Sequence, residues 1–217
     1  MIDEKVAELK KGFLDYTNLL ENILWKTKDG LLKRKPEKLK EVIEVDELKV
    51  NATEIEIDEM CMSVIAQFQP KAKNLRTIMM ISKINNDMER IGDQAVNIAQ
   101  SGLYMLDHER FLSLIDMSDI FEGVIKMYRN SIQSFMEEDV GLAREVCEYD
   151  DIVDQFNSDT YQKLKGEMKE DPGRVSPSLQ LMRIARNLER IADHATNIAE
   201  DVVYMVEGLV LKHNYEE

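Results

Sequence analysis

Apolar residues recur three and four positions apart along almost the whole chain, the spacing of one face of an α-helix. The pattern predicts six helices, over about 3–29, 36–68, 71–107, 116–136, 140–168 and 176–211. Asp29-Gly30 and Lys35-Pro36 bracket the first turn, with Pro36 suited to the first position of a helix. Gln69-Pro70 ends the second helix, because proline disfavours helix in the residue before it. Glu138-Asp139 marks a turn, and Asp171-Pro172-Gly173 is the clearest loop in the chain. A polar stretch at Asp107-His108-Glu109-Arg110 divides the chain into units 1–108 and 109–217. Helix, turn, long helix, break, long helix therefore occurs twice. The predicted fold is all-α: two tandem, similar three-helix bundles, six helices in all.

The duplication is visible in the residues themselves. Residues 83–106 read KINNDMERIGDQAVNIAQSGLYML and residues 183–206 read RIARNLERIADHATNIAEDVVYMV, an offset of 100 without a gap. Glu89, Arg90, Ile91, Asp93, Ala95, Asn97, Ile98 and Ala99 all recur. A weaker echo joins the second and fifth helices: Asn51 follows Glu47 by four residues, and Asp154 follows Asp150 by four.

Ile84, Met88, Ile91, Ala95 and Ile98 in the third helix, and Ile184, Leu188, Ile191, Ala195, Ile198 and Val202 in the sixth, form a bundle seam. With that stripe at 0° and roughly 100° per residue, Glu89, Asp93 and Asn97 fall near about 140°, 180° and 220°. They are predicted to face away from the core, as are Glu189, Asp193 and Asn197. Acids at i and i+4 repel by a few tenths of a kcal/mol, a cost that a bound cation removes. Carboxylate and amide oxygens suit hard cations such as Mg, Ca or Mn, and Fe as well. One helix cannot complete a coordination sphere, so Glu47 and Asn51, and Asp150 and Asp154, are expected to supply further ligands, with Asp46 and Asp151 beside them. Asp201 continues the ridge in the sixth helix where Ser101 stands in the third. A solvated acidic face is the competing reading of such a ridge, and a dock for a basic partner is a third. His194, opposite Gln94 in the repeat, reads as a surface group or a support for a ligand, and Arg90 and Arg190 as groups that orient the carboxylates.

Charge and composition narrow the function. Twenty-eight Lys and Arg against 42 Asp and Glu leave a formal charge of −14, which disfavours a nucleic-acid backbone and favours cations or basic partners. Cys61 and Cys147 lie far apart and outside any CxxC pair, consistent with buried thiols in a reducing cytoplasm. The start is charged from Asp3 onward, so no signal peptide is expected there, and no apolar run approaches the ~20 residues of a membrane span. Attachment to a membrane complex would be peripheral. The thirteen Met read mainly as core filler. No phosphate-binding loop, dinucleotide fingerprint or nucleophile elbow is present, so the chain is not expected to be an enzyme. A di-metal ferritin-like protein would need Glu-x-x-His motifs aimed inward, which the acidic helices lack.

MERIGDQAVNIAQ and LERIADHATNIAED resemble the paired signature of the PhoU family. Gln69-Pro70 followed by Asn74-Leu75-Arg76, and EDVGLAREVCEYDDIVD over 138–154, extend the resemblance to essentially the whole chain. The resemblance implies two similar three-helix bundles side by side that commonly form a homodimer. It implies surface E/DxxxD motifs able to bind metal ions, including multinuclear iron clusters, with Mn, Zn or Mg as alternatives. It also implies repression of the phosphate-starvation response through a phosphate ABC transporter and a sensor histidine kinase. By position, Glu89, Asp93, Glu189 and Asp193 match the signature pairs, Asn97 and Asn197 the following turn, and Asp150 and Asp154 the acidic pair of the other helix. Glu47 and Asn51 replace that last pair in the first half, so the two sites are expected to be inequivalent. A helical scaffold whose acidic face is merely solvated is the alternative function.

Overall fold

The computed structural model describes residues 2–208. Among them are seven α-helices and no strand: α1 (Ile2–Leu32), α2 (Pro36–Glu41), α3 (Glu47–Phe68), α4 (Ala72–Leu106), α5 (Ser118–Glu137), α6 (Val140–Glu170) and α7 (Val175–Glu207). The fold is all-α, as the periodicity predicts. The expected sixth helix corresponds to α7, and its last residues, 209–211, lie outside the described residues.

The expected second helix is a single rod with a fault in it. Pro36 opens α2, and a π-helical segment, Val42–Asp46, joins α2 to α3. The segment buries both Val42 and Asp46. Lys26 of α1 donates to Glu41 and Asp46 on either side of it, and Lys49 adds a second ion pair to Asp46 at 3.3 Å. Asp46 is thereby consumed by lysines and is not a reserve for the acidic ridge. The link from α4 to α5 is longer and holds a 3₁₀ turn, Glu109–Leu114, whereas the links on either side of α6 are short and capped. Glu138 takes a left-handed conformation (φ 56°) after α5, and the Asp139 carboxylate accepts from the Leu142 amide to start α6. Asp171 caps the short 3₁₀ turn before α7 by accepting from the Gly173 amide.

α4 and α7, the helices that carry the repeated signature, pack against each other. Lys83 reaches Asp201, and Arg183 reaches Asn97, so rising numbers on one helix meet falling numbers on the other: the pair is antiparallel. α1 and α3 pack on α4, and α5 and α6 pack on α7. α1 and α5 close the arrangement, also antiparallel. Phe13 meets Phe135 edge to face, the Tyr128 hydroxyl donates to the Thr17 carbonyl, and Lys28 pairs with Glu122. The predicted seam residues of both long helices are buried, and the core runs without interruption through both three-helix units. Cys61 is buried and Cys147 partly so; both are free thiols. Met88, Met105, Met117 and Met127 fill the core, whereas Met62 and Met79 are exposed.

Two glycines separate packing from helix propensity. A Cβ on Gly30 would stand 2.5 Å from Leu39 Cδ2 and 2.7 Å from its Cγ, where α2 is pressed onto α1. A Cβ on Gly166, in α6, would meet nothing within 4 Å. We expect Gly30→Ala to lower the unfolding free energy by about 1–3 kcal/mol through overpacking. Gly166→Ala should raise it by up to about 1 kcal/mol. Urea titration of both variants checks the pair, and a gain at both positions would show that α2 packs more loosely than described.

Candidate functional site

Four-residue spacing places Glu89, Asp93 and Asn97 on one line of α4, and Glu189, Asp193 and Asn197 on one line of α7. The lines lie opposite the apolar seam, but they do not all stand in open solvent. Glu89, Asp93 and Asn97 are half-buried, as are Glu189 and Asn197, and only Asp193 is exposed. The α4 line faces away from the seam as expected, but α1, α3 and α7 pack around α4 and leave it half-buried. From residue 81 to residue 100 only Lys83, Asn86, Arg90 and Gln100 are exposed.

The second half shows the acidic grouping clearly. Burial, together with Asp193 and Asp154, pushes the Asp150 carboxyl up to about 6. The Thr196 hydroxyl pulls against this rise, yet neither Asp150 Oδ1 nor Thr196 Oγ1 completes a hydrogen bond. Although Asp193 as a residue is exposed, partial desolvation of its carboxyl against α6, with Asp154 beside it, raises it. Burial raises Glu189 as well, Arg186 opposes the rise by ion pairing, and Asp154 and Asp193 add to it. The Asn157 amide donates to Glu189 from α6. Asp150, Asp154, Glu189 and Asp193 are therefore brought together across the α6–α7 contact.

The first half is built differently. Burial and Asp93 raise the Glu89 carboxyl, Arg90 opposes them from 3.3 Å, and Glu54 of α3 adds to the rise. Glu47 is half-buried and Asn51 exposed. The α3 acid that Glu89 feels is thus Glu54, which the four-residue spacing passed over. A register of 103 residues aligns Glu47, Asn51 and Glu54 with Asp150, Asp154 and Asn157. Each triplet holds two carboxylates and one amide, with the amide second in one and third in the other. Extending the echo by one further turn would have found both residues. Tyr16 of α1 also belongs here. Its phenol is buried without a hydrogen-bond partner, and burial, Glu54, Glu89 and Asp93 all push its proton affinity up.

Three expected neighbours of the ridge serve the α4–α7 contact instead. Asn97 accepts from Arg183 at 3.0 Å. Asp201 is buried and accepts from Lys83 at 2.6 Å, so it does not continue the acidic line. His194 Nδ1 lies 2.9 Å from Asp87 Oδ1; an ionised carboxylate only accepts, so the ring donates. In the repeat the same positions are Gln94 and Asn187, both buried, with Gln94 Oε1 and Asn187 Nδ2 unpartnered.

Among the described residues no three His, Cys, Asp or Glu side chains converge on one point as a finished metal cage. The donor set is nonetheless oxygen-rich, and two buried oxygens, Asp150 Oδ1 and Tyr16 Oη, lack a partner at the two groupings. A hard cation fits that chemistry.

The PhoU domain matches this chain twice, over residues 13–102 and 117–202. This chain belongs to the PhoU family. An Aquifex aeolicus protein described as a phosphate-specific transport system accessory protein PhoU homolog is 34% identical over 212 residues, spanning 98% of this chain and 96% of its own. A Thermotoga maritima protein described as PhoU homolog 2 of that kind is 34% identical over 221 residues, spanning all of this chain and 92% of its own. The crystal structure of PhoU from Pseudomonas aeruginosa matches with a TM-score of 0.89 at 32% identity, over 96% of this chain and 100% of that one. That of the phosphate transport system regulatory protein PhoU from Streptococcus pneumoniae shares the fold, with a TM-score of 0.84 at 21% identity over 98% of this chain and 100% of that one.

The raised carboxyls set a pH dependence. A PhoU chain whose Asp150 titrates near 6 holds, between its ordinary value of 3.8 and 6, a proton that the unfolded chain has released. Stability from this group is present at low pH and is lost as pH rises through that window. Glu89, Glu189 and Asp193 shift in the same direction. Asp29, held near 2 by Lys33 and Lys38, loses its contribution only well below the window. In chelator, we expect the melting temperature to rise from pH 7.5 to pH 5. Asp150→Asn should raise it by about 2–4 °C at pH 7.5 and flatten the profile, which differential scanning calorimetry would read. A profile unchanged by the substitution would show that Asp150 ionises without cost.

Proposed function

We propose that the chain is a metal-binding regulator of phosphate uptake and of phosphate-starvation signalling. It acts by binding a phosphate ABC transporter, a sensor histidine kinase, or both. The observation that carries this reading is the grouping, in each half, of carboxylates that outnumber the arginines beside them, all half-buried except Asp154 and Asp193, which are exposed. The names of its relatives as phosphate-specific transport accessory proteins support the setting. No helix among the described residues is long and apolar enough to cross a membrane; the attachment proposed is peripheral and cytoplasmic. A homodimer is part of the proposal, and catalysis is not.

In the second half Asp150, Asp154, Glu189 and Asp193 would hold the ion. In the first half Glu89 and Asp93 would do so with Glu47 and Glu54 of α3, and the Tyr16 phenol would be a further oxygen donor. Asn51 and Asn197 could add amide oxygens, whereas Asn97 is held by Arg183. Iron is the proposed metal, with Mn, Zn and Mg as alternatives of compatible donor chemistry. The bound cation supplies positive charge at a grouping that otherwise repels itself. The residues do the rest: Arg90 and Arg186 orient Glu89 and Glu189, and Asn157 fixes Glu189 from the opposite helix. Loss of repulsion draws α3 onto α4 and α6 onto α7, and changes the charge that a partner meets.

Elemental analysis of untagged protein tests the reading. We expect more than one metal ion per chain, reduced at least tenfold in the variant Glu89→Ala, Asp93→Ala, Glu189→Ala and Asp193→Ala, with an unchanged helical circular dichroism spectrum. Absence of metal from both proteins after incubation with Fe, Mn, Zn and Mg would overturn the metal reading. Capture of the transporter ATPase or the kinase, equal with and without chelator, would overturn the metal-dependent switch while leaving partner binding intact.

A further inference from the structure

The outer face of α3 is apolar as well as the inner one. Val50, Ile57, Cys61 and Val64 turn into the core. On the opposite side Leu48, Ile55 and Met62 are 67%, 56% and 57% exposed, and Ala52 is exposed between them. With Glu59 in line, these residues follow one another by four, three, four and three positions, the spacing of a coiled-coil seam. Apolar exposure concentrated in this way marks an interaction surface more often than scattered residues do.

The duplicated helix supplies an internal control. In the 103-residue register the core positions keep their burial: Val50 with Val153, Ile57 with Thr160, and Cys61 with Leu164. Outside, Leu48, Ala52, Ile55 and Met62 correspond to Asp151, Gln155, Ser158 and Lys165. The same helix in the same bundle therefore carries polar side chains along this line, so folding does not demand the apolar seam.

Charge selects the occupant. Between Glu44 and Ser63 the one base is Lys49, already paired with Asp46, while Glu44, Glu56 and Glu59 are exposed acids. Glu59 stands within the seam itself, and docking an apolar or acidic surface there would leave its charge unpaired. A second copy of this chain would bring one acidic edge against another. We propose that the outer face of α3 docks an amphipathic helix of a partner protein, one whose apolar stripe is flanked by Lys or Arg. The proposal goes beyond the metal reading and uses none of the acidic residues of that site.

The test uses three synthetic 21-residue helical peptides at 0.15 M salt: a Leu stripe flanked by Lys, the same stripe flanked by Glu, and the Lys peptide with its apolar positions scrambled. The protein variant Leu48→Asp, Ile55→Ser, Met62→Lys installs the residues of α6 and leaves net charge unchanged. By fluorescence anisotropy, we expect the Lys-flanked stripe to bind wild type at least tenfold more tightly than either other peptide, and at least tenfold more tightly than it binds the variant. Equal binding of the scrambled peptide would reduce the effect to bulk charge and overturn the proposal. So would failure of all three to bind, or preference for the Glu-flanked stripe. Light scattering that shows a wild-type dimer converted to monomer by the triple variant would assign the seam to a second copy, also against the proposal. Metal content measured on the same variant should be unchanged, which keeps this test separate from that of the acidic groupings.

Discussion

The antiparallel contact between α4 and α7 constrains everything else. A helix buried on one face can place polar residues anywhere on the other. α4 is packed by α1, α3 and α7, and only narrow strips remain. The acids of its signature occupy one such strip, close enough to α3 to feel its charge and shielded enough for that charge to matter. At about 4 Å two unit charges interact by ~1 kcal/mol in water but by ~4 kcal/mol at an effective dielectric of 20. Had the ridge been fully solvated, its repulsion would have amounted to the few tenths of a kcal/mol of an exposed helix pair. Half-burial is what turns a row of acids into a group whose carboxyls hold their protons above the ordinary range.

Quasi-symmetry then shows where the two halves have parted. The α4–α7 contact places Lys83 on Asp201, but the reciprocal Arg183 on Asn97, because Ser101 stands where a second aspartate would. It places a donor–acceptor pair, His194 and Asp87, opposite two amides, Gln94 and Asn187. At the three aligned positions α3 and α6 carry two carboxylates each, differently placed. Packing positions have kept their character while polar positions around them have been reassigned one at a time. Two acidic groupings of similar charge and different ligand geometry are the result, and equal affinity for one ion is not to be expected of them.

The helices were legible because each buries a 3.6-period stripe, and the breaks because proline, glycine and capping aspartates act locally. The π-helical segment was not legible. One extra residue in a turn barely disturbs hydrophobic periodicity, and the ion pairs of Lys26 with Asp46 and Glu41 that accompany it come from another helix. The acidic line was readable from spacing, but its burial was not, since the angle that sets Glu89 opposite Ile84 says nothing of which neighbour covers that side. Glu54 and Tyr16 escaped for the same reason: they reach the line from other helices. Asp201 and Asn97 misled because they share its charge or its spacing while the α7–α4 contact claims them.

α3 joins these themes. Its inner face, through Val50 and Ile57, is core; one edge presents Glu54 towards Glu89; its outer face carries Leu48, Ile55 and Met62. On the same helix Val50 packs so close beneath Gly92 that a Cβ there would stand 2.9 Å from Val50 Cγ1. Glycine at position 92 is therefore what lets α3 lie this close to α4, and with it Glu54 near enough to raise the Glu89 carboxyl. One helix thus joins three surfaces: the core beneath Gly92, the acidic line of α4 and the apolar outer face.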